Sequence, residues 1–449
     1  MNTIKDLLKL YKNKNTSSKD VIEHFLNISK KLQPKLNHYI TIKEDKELPK
    51  NAIPIAHKDI FSTKGLKTTC ASKILKNYVP PFNATVVKKL KKNNFYSLGK
   101  LNLDAFAHGS TGENSDFGPT LNPYDTKKVA GGSSSGSAVA VSSGSILCAT
   151  ATDTGGSIRT PASFNNVVGI KPTYGLVSRY GINAMTSSTD SIGHITNTVW
   201  DNAYVLNFTA GKDIYDATST NKKIPDYLKN IEVKNTYTIG IPKEYINENI
   251  DKDILKLVKE KIEIYKKLGF KFKEVSLKNT EYAVACYYVI TPSEVSSNLS
   301  RIDGIRFGDV RKYFENEAVR RIAIGNYVLS SGYYDAYYKK AVMVRSTIAQ
   351  EFTDVFKDVD LLLSPVTPNQ TPNTGDVVND PIKNYLMDAL TIPTNMAGLP
   401  ALSLPAGFIK GMPVGIQLIG PKYSESILYN TGYLLEQETE YYKIKPKIN

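Results

Sequence analysis

Between positions 131 and 156 this chain is built almost entirely from Gly, Ser, Ala and Thr, and nothing there is bulkier than the Val, Ile and Leu of two short apolar runs. Side chains this small let backbones approach closely. A flexible Gly/Ser linker would share the glycines and serines, but it would not carry 138–141 (Ala-Val-Ala-Val) and 146–149 (Ile-Leu-Cys-Ala), which are expected to form a helix and a strand. The fold must therefore accommodate a stretch in which backbone meets backbone.

Around it, apolar segments alternate with helical patterns. Residues 17–32 open on a Thr16/Ser17 cap and repeat Val21, Phe25, Ile28 and Leu32 on one face, and Pro34 is expected to end that helix. Residues 53–56, a helix over 83–93 and residues 95–99 follow, then the small-residue stretch. Residues 251–269 read as a helix stopped by Gly269, 270–275 as a strand, and 359–363 and 401–404 as buried strands. The alternation predicts an α/β sheet. A lysine-rich stretch at 211–235 reads as a surface connection between two halves that do not repeat each other, so 1–449 is expected to be one domain.

Composition excludes several classes. With 449 residues, 41% hydrophobic and 22% charged, the chain is neither disordered nor collagen-like nor a coiled coil. It holds no run of about 18 uncharged apolar residues and its start lacks an apolar signal core, so no membrane association and a cytoplasmic location are expected. Cys70, Cys148 and Cys286 are odd in number and far apart, and the five histidines show no ligand spacing; neither a disulfide framework nor a metal site is expected. The net charge of +14 comes from 49 lysines and eight arginines, the lysines spread along the chain without a nucleic-acid recognition motif. A charged RNA held through another subunit stays open.

Three segments can carry chemistry: Pro54-Ile-Ala-His-Lys-Asp59, Gly131-Gly-Ser-Ser-Ser-Gly-Ser137 and Asp153-Thr-Gly-Gly-Ser-Ile-Arg159. Serine needs a base to become a nucleophile, and lysine serves if burial leaves its amine uncharged. Consecutive glycines let backbone N–H groups converge on one point, as an oxyanion requires, just before a serine. Two other matches carry less. Gly132-Ser-Ser-Ser-Gly136 fits G-x-S-x-G but lacks the preceding strand, and Ser97-Leu-Gly-Lys100 fits S-x-x-K without its companion motifs.

Together these residues resemble the amidase signature family, whose Ser–cis-Ser–Lys triad lies in a Gly/Ser-rich segment. Ser133 follows Lys58 by 75 residues, Ser157 follows Ser133 by 24, and the likeness extends through Ile170-Lys-Pro-Thr-Tyr-Gly175 to Gly415-Ile-Gln-Leu-Ile-Gly420. The resemblance implies the amidase-signature fold, a large mixed sheet covered by helices on both faces. It makes Ser157 the acyl-forming nucleophile, Ser133 the relay serine on a cis peptide and Lys58 the base, with an oxyanion hole at Thr154, Gly155 and Gly156.

Within the family, residues 297–306, 329–338 and 387–400 are similar to the A subunits of glutamyl-tRNA(Gln) amidotransferases. That likeness implies hydrolysis of glutamine held by Tyr288, Arg321 and Asp388, with Tyr287 and Arg320 the neighbouring alternatives; a guanidinium and a carboxylate suit the two charged ends of an amino acid. It further implies that ammonia passes to a B subunit, which uses ATP and magnesium to amidate glutamate on mischarged tRNA, with a C subunit completing a heterotrimer. This chain itself has no phosphate-binding loop and needs no cofactor. Ser135, Asn165, His108 and His194 depart from residues usual in the family (Gly, Cys, Met and Pro), and the segment from 306 to 320 is short. A stand-alone amidase acting on a small or aryl amide is the alternative reading. A basic RNA-binding scaffold with a dead site is a third, opposed by the intact Lys58, Ser133 and Ser157.

Overall fold

The computed structural model describes residues 1–44, 47–306, 308–378 and 380–448. Eleven strands form one mixed sheet: β1 (Tyr39–Ile42), β2 (Ile53–Lys58), β3 (Phe95–Leu101), β4 (Cys148–Asp153), β5 (Val168–Lys171), β6 (Ser191–Thr196), β7 (Thr238–Pro242), β8 (Lys271–Val275), β9 (Leu361–Pro365), β10 (Ala401–Ile409) and β11 (Met412–Ile419). Their order is β1-β3-β2-β4-β6-β5-β10-β11-β9-β7-β8. Pairs β2–β3, β2–β4, β7–β8 and β7–β9 are parallel and the rest antiparallel. β10 from the C-terminal half joins β5 from the N-terminal half, so one sheet runs through both.

Every residue of β2, β4, β5, β6, β9 and β11 is buried. Successive strand side chains point to opposite faces, so both faces of the central sheet are covered, as expected for an α/β fold with flanking helices. The edge strand β8 carries mostly exposed lysines and a glutamate, which blunts that edge.

The small-residue stretch forms the helix Ser135–Ser142 and then β4, and all eight residues of that helix are buried. A Cβ on Gly136 would meet His38 O at 2.5 Å and the Asn102 backbone at 2.6–2.7 Å, so the helix can lie against that loop only because glycine stands there.

A first helix, Ile4–Lys12, precedes the one expected over 17–32, and the latter differs from expectation. It spans Ser18–Leu36 behind a Ser17–Asp20 capping box and runs through Pro34, ending at a left-handed Asn37. Proline forfeits one backbone bond near the helix end, whereas stopping there would leave Leu36, fully buried, outside the core. Gln33 also grips the exit, its amide donating to Tyr39 O at 2.7 Å and its carbonyl accepting from Tyr39 N–H at 2.8 Å. Two strands are displaced as well: β4 begins at Cys148, and β9 covers Leu361–Pro365. Stretch 211–235 lacks helix or strand but is anchored, since the Asn430 amide donates to the carbonyls of Asn230, Ile231 and Val233.

Candidate active site

Lys58 ends β2, between the parallel neighbours β3 and β4, and is wholly buried. Its Nζ lies 2.7 Å from Ser133 Oγ, 2.9 Å from Ser134 Oγ and 2.9 Å from Thr152 Oγ1. These neighbours are neutral hydroxyls, so nothing in direct contact offsets desolvation, and burial pulls the Lys58 pKa down to about 7 against the opposing pull of Asp104, Asp153 and Asp190. The Gly132–Ser133 peptide is cis.

Ser157 lies on the turn between β4 and the short helix Arg159–Phe164. The carbonyls of this turn are engaged inward: Gly155 O accepts from Thr391 Oγ1 at 2.6 Å, Gly156 O from Thr160 N–H at 2.8 Å and Ser157 O from Ser134 N–H at 3.2 Å. Among the described residues no N–H of 154–157 donates to another group, which leaves a row of donors at one place. Asp153 and Arg159 clamp the turn's two ends with paired contacts of 3.1 and 3.0 Å. Arg159 also donates to Gln417 Oε1, Thr391 O and Asn395 Oδ1, so its planar fork meets four partners in a buried site. The hydroxyls of Ser133 and Ser157 are not hydrogen-bonded to each other among the described residues; the shared anchor is the Ser134–Ser157 backbone bond.

Across the turn sit the charged candidates. Asp388 is buried, accepts from Thr160 Oγ1 at 3.1 Å and from the Ser110 hydroxyl, and lies so near Gly156 that a Cβ there would come within 2.7 Å of its Oδ1. Burial raises its pKa to about 7. Arg321 is buried on the helix Asn316–Val328, its Nε–H donating to Glu317 at 2.8 Å and its guanidinium 5.7 Å from the Tyr288 ring centroid. Its neighbour Arg320 turns outward, 43% exposed, so only Arg321 presents its charge inward.

The two tyrosines divide the space. Tyr288 stacks on Tyr385 with ring centroids 3.5 Å apart, whereas Tyr287 packs against the turn, its hydroxyl 3.1 Å from where a Gly155 Cβ would stand. Both Tyr287 and Tyr288 feel the charges of Arg321 and Asp388.

Several participants went unnoticed in the sequence. Ser134 and Thr152 touch Lys58, Ser110 and Thr160 hold Asp388, and Glu317 orients Arg321; only Glu317, four residues before Arg321 on a helix, had a readable signal. The discounted Lys100 is used elsewhere, buried 3.1 Å from Asp59. Three of the four departures find partners: Ser135 donates to Thr120, Asn165 to the carbonyls of Ala130 and Pro161, and His194 contacts Thr209 at 2.8 Å, whereas neither ring nitrogen of His108 has a hydrogen-bond partner among the described residues. Among the described residues no group of three or more His, Cys, Asp or Glu could hold a metal ion, and no helix is long and apolar enough to cross a membrane.

Comparison with known proteins follows the same lines. Residues 2–428 match the Amidase family model. The chain is 45% identical to the A subunit of the glutamyl-tRNA(Gln) amidotransferase of Ligilactobacillus salivarius over 97% of this chain and 96% of that protein, and 46% identical to its counterpart in Lactiplantibacillus plantarum over 94% and 93%. A crystal structure of the A subunit of the Thermotoga maritima glutamyl-tRNA(Gln) amidotransferase superposes with a TM-score of 0.89 at 41% identity, covering 100% of this chain and 98% of that one. A bacterial aryl acylamidase of the amidase signature enzymes, 23% identical with a TM-score of 0.87, shares the fold. By its family model, its near full-length relatives and its sheet, this chain belongs to the amidase signature family.

Proposed function

We propose that the chain is the glutamine-hydrolysing subunit of a glutamyl-tRNA(Gln) amidotransferase, acting as a single domain over 1–449. The observation that carries the reading is the buried Lys58–Ser133 contact of 2.7 Å beside a turn whose N–H groups are free, with Asp388 against Gly156 and the Arg321 guanidinium beside the Tyr288 ring. The near full-length likeness to the A subunits of several bacteria supports the choice of substrate.

In this mechanism neutral Lys58 takes the Ser133 proton while Ser133 takes that of Ser157. Ser157 Oγ attacks the side-chain amide carbon of glutamine, and the N–H groups of Thr154, Gly155, Gly156 and Ser157 receive the developing oxyanion. Return of the proton through the same relay to the amide nitrogen expels ammonia. Water, deprotonated by that relay, then hydrolyses the glutamyl ester and frees glutamate. Arg321 pairs with the α-carboxylate, Asp388 with the α-ammonium and Tyr288 lines the pocket.

Ammonia passes to a B subunit that holds ATP, magnesium and the mischarged tRNA, with a C subunit in the complex; the chain works in the cytoplasm. The test is ammonia release from glutamine by the chain alone and after addition of the B and C subunits with mischarged tRNA. Stimulation by the partners is expected, and a preference for aryl amides unmoved by them would favour a stand-alone amidase.

A further inference from the structure

The strand register brings a further acid to the turn that holds Ser157. β4 and β6 are antiparallel with Asp153 opposite Ser191, and one step beyond the ladder Thr154 meets Asp190. There the Thr154 hydroxyl donates to Asp190 Oδ1 at 2.7 Å. Asp190 is buried, and its oxygens also accept from Met185 N–H at 2.9 Å and Thr186 N–H at 3.1 Å, the donors that a carboxylate out of water requires. The loop that supplies them is fixed in turn, since Asn298 donates to Met185 O at 3.0 Å and Arg345 to Ser188 O at 2.8 Å.

The hydrogen bonds of the turn give this contact its importance. Asp153 O accepts from the Asn395 amide at 3.1 Å, and the carbonyls of Gly155, Gly156 and Ser157 are held as described above. Thr154 O accepts from nothing among the described residues. A carbonyl and the N–H of the next residue lie in one peptide plane, so a bond to the first aims the second. The Thr154–Gly155 plane, which carries the Gly155 N–H, lacks that hold and is steadied instead from the Thr154 side chain. Resting on the proposed mechanism, we infer that Asp190 is a positioning residue of the oxyanion hole: through the Thr154 hydroxyl it fixes the Thr154–Gly155 peptide and so aims the Gly155 N–H at the developing oxyanion.

Thr154→Val keeps the shape of the side chain and the backbone N–H but loses the hydroxyl. In the full-length chain with its partner subunits this variant lowers kcat for glutamine ~10–50-fold, short of the loss from deleting an oxyanion donor, with KM within about twofold, because the hole acts on the transition state. A simple neutral amide loses the same factor, since every amide carbonyl uses the hole. Thr154→Ser, which keeps the hydroxyl, recovers most of the rate. Asp190→Ala lowers kcat at least as far as Thr154→Val, and the double variant is no slower than Asp190→Ala alone. An unaltered kcat in Thr154→Val, a serine variant as slow as the valine one, a loss confined to glutamine, or losses that multiply in the double variant each overturn the inference. Should Asp190→Ala fail to fold, Thr154→Val and Thr154→Ser, which leave Asp190 and its loop in place, decide alone. A parent that hydrolyses the neutral amide but not glutamine would instead refute the proposed function and leave this comparison measurable on the amide, so the two failures are distinguishable.

Discussion

Lys58 Nζ and Ser133 Oγ stand 2.7 Å apart inside the protein, and neither residue is exposed to solvent at all. An ammonium so placed meets only hydroxyls, so the neutral amine becomes accessible near pH 7. Lys58→Arg is therefore expected to be nearly as damaging to glutaminase activity as Lys58→Ala, since a guanidinium stays protonated and cannot be a base. Retention of most of the rate by the arginine variant would assign Lys58 to packing alone.

The pH profile carries a second signature. Lys58 must be deprotonated and Asp388 ionised for a productive encounter, and both titrate at about 7 in the free protein. Activity expressed as kcat/KM should thus fall below pH 7 with a slope approaching 2 on a log plot, while kcat, for which glutamine has already ionised Asp388, falls with a slope of about 1. In Asp388→Asn the kcat/KM slope drops to about 1. Identical slopes of 1 in the parent would remove Asp388 from the titration.

Ser157→Ala should abolish glutamine-dependent amidation by the assembled complex while leaving use of added ammonium salt intact, because only ammonia production is lost. Loss of both activities would indicate a structural role for the serine.

Asp388→Asn should weaken glutamine selectively. Losing one charge-assisted contact to the α-ammonium is worth ~1.5–3 kcal/mol, a roughly ten- to hundred-fold loss in the specificity constant. A neutral amide has no ammonium and should change little; equal losses on both substrates would mean that Asp388, held by Ser110 and Thr160, supports the fold instead.

Away from the site, Glu436 accepts from Val199 N–H at 2.8 Å, and burial, helped by the nearby charge of Asp201, raises its pKa to about 8. A carboxyl raised in the folded state contributes stability that is lost as pH climbs from the ordinary glutamate range through about 8. Glu436→Gln keeps the acceptor and cannot ionise, so the fall in thermal stability between pH 6 and 9 should shrink by about 1 kcal/mol or more. Melting curves of the two proteins at both pH values check this, and parallel curves would contradict it.

Several local features were legible in the sequence. The 3.6-residue repeat of Val21, Phe25 and Leu32 marked a helix, Gly269 with φ +98° ended another, and the small-residue stretch singled out the segment holding Ser133 and Ser157. Such features depend on a few adjacent residues, and they are legible because steric and burial rules act over one or two turns. What the tertiary structure alone decided are the pairings across the sheet. Thr152 reaches Lys58 across 94 positions, Asn395 reaches Arg159 across 236, and Ser110 reaches Asp388 across 278. The helix running through Pro34 is of the same kind, since the core that receives Leu36 outweighs a local stop signal. No periodicity encodes which distant hydroxyl will fill the space beside a buried charge; that follows from closing the sheet, when every buried polar atom must take the partner the packing brings to it.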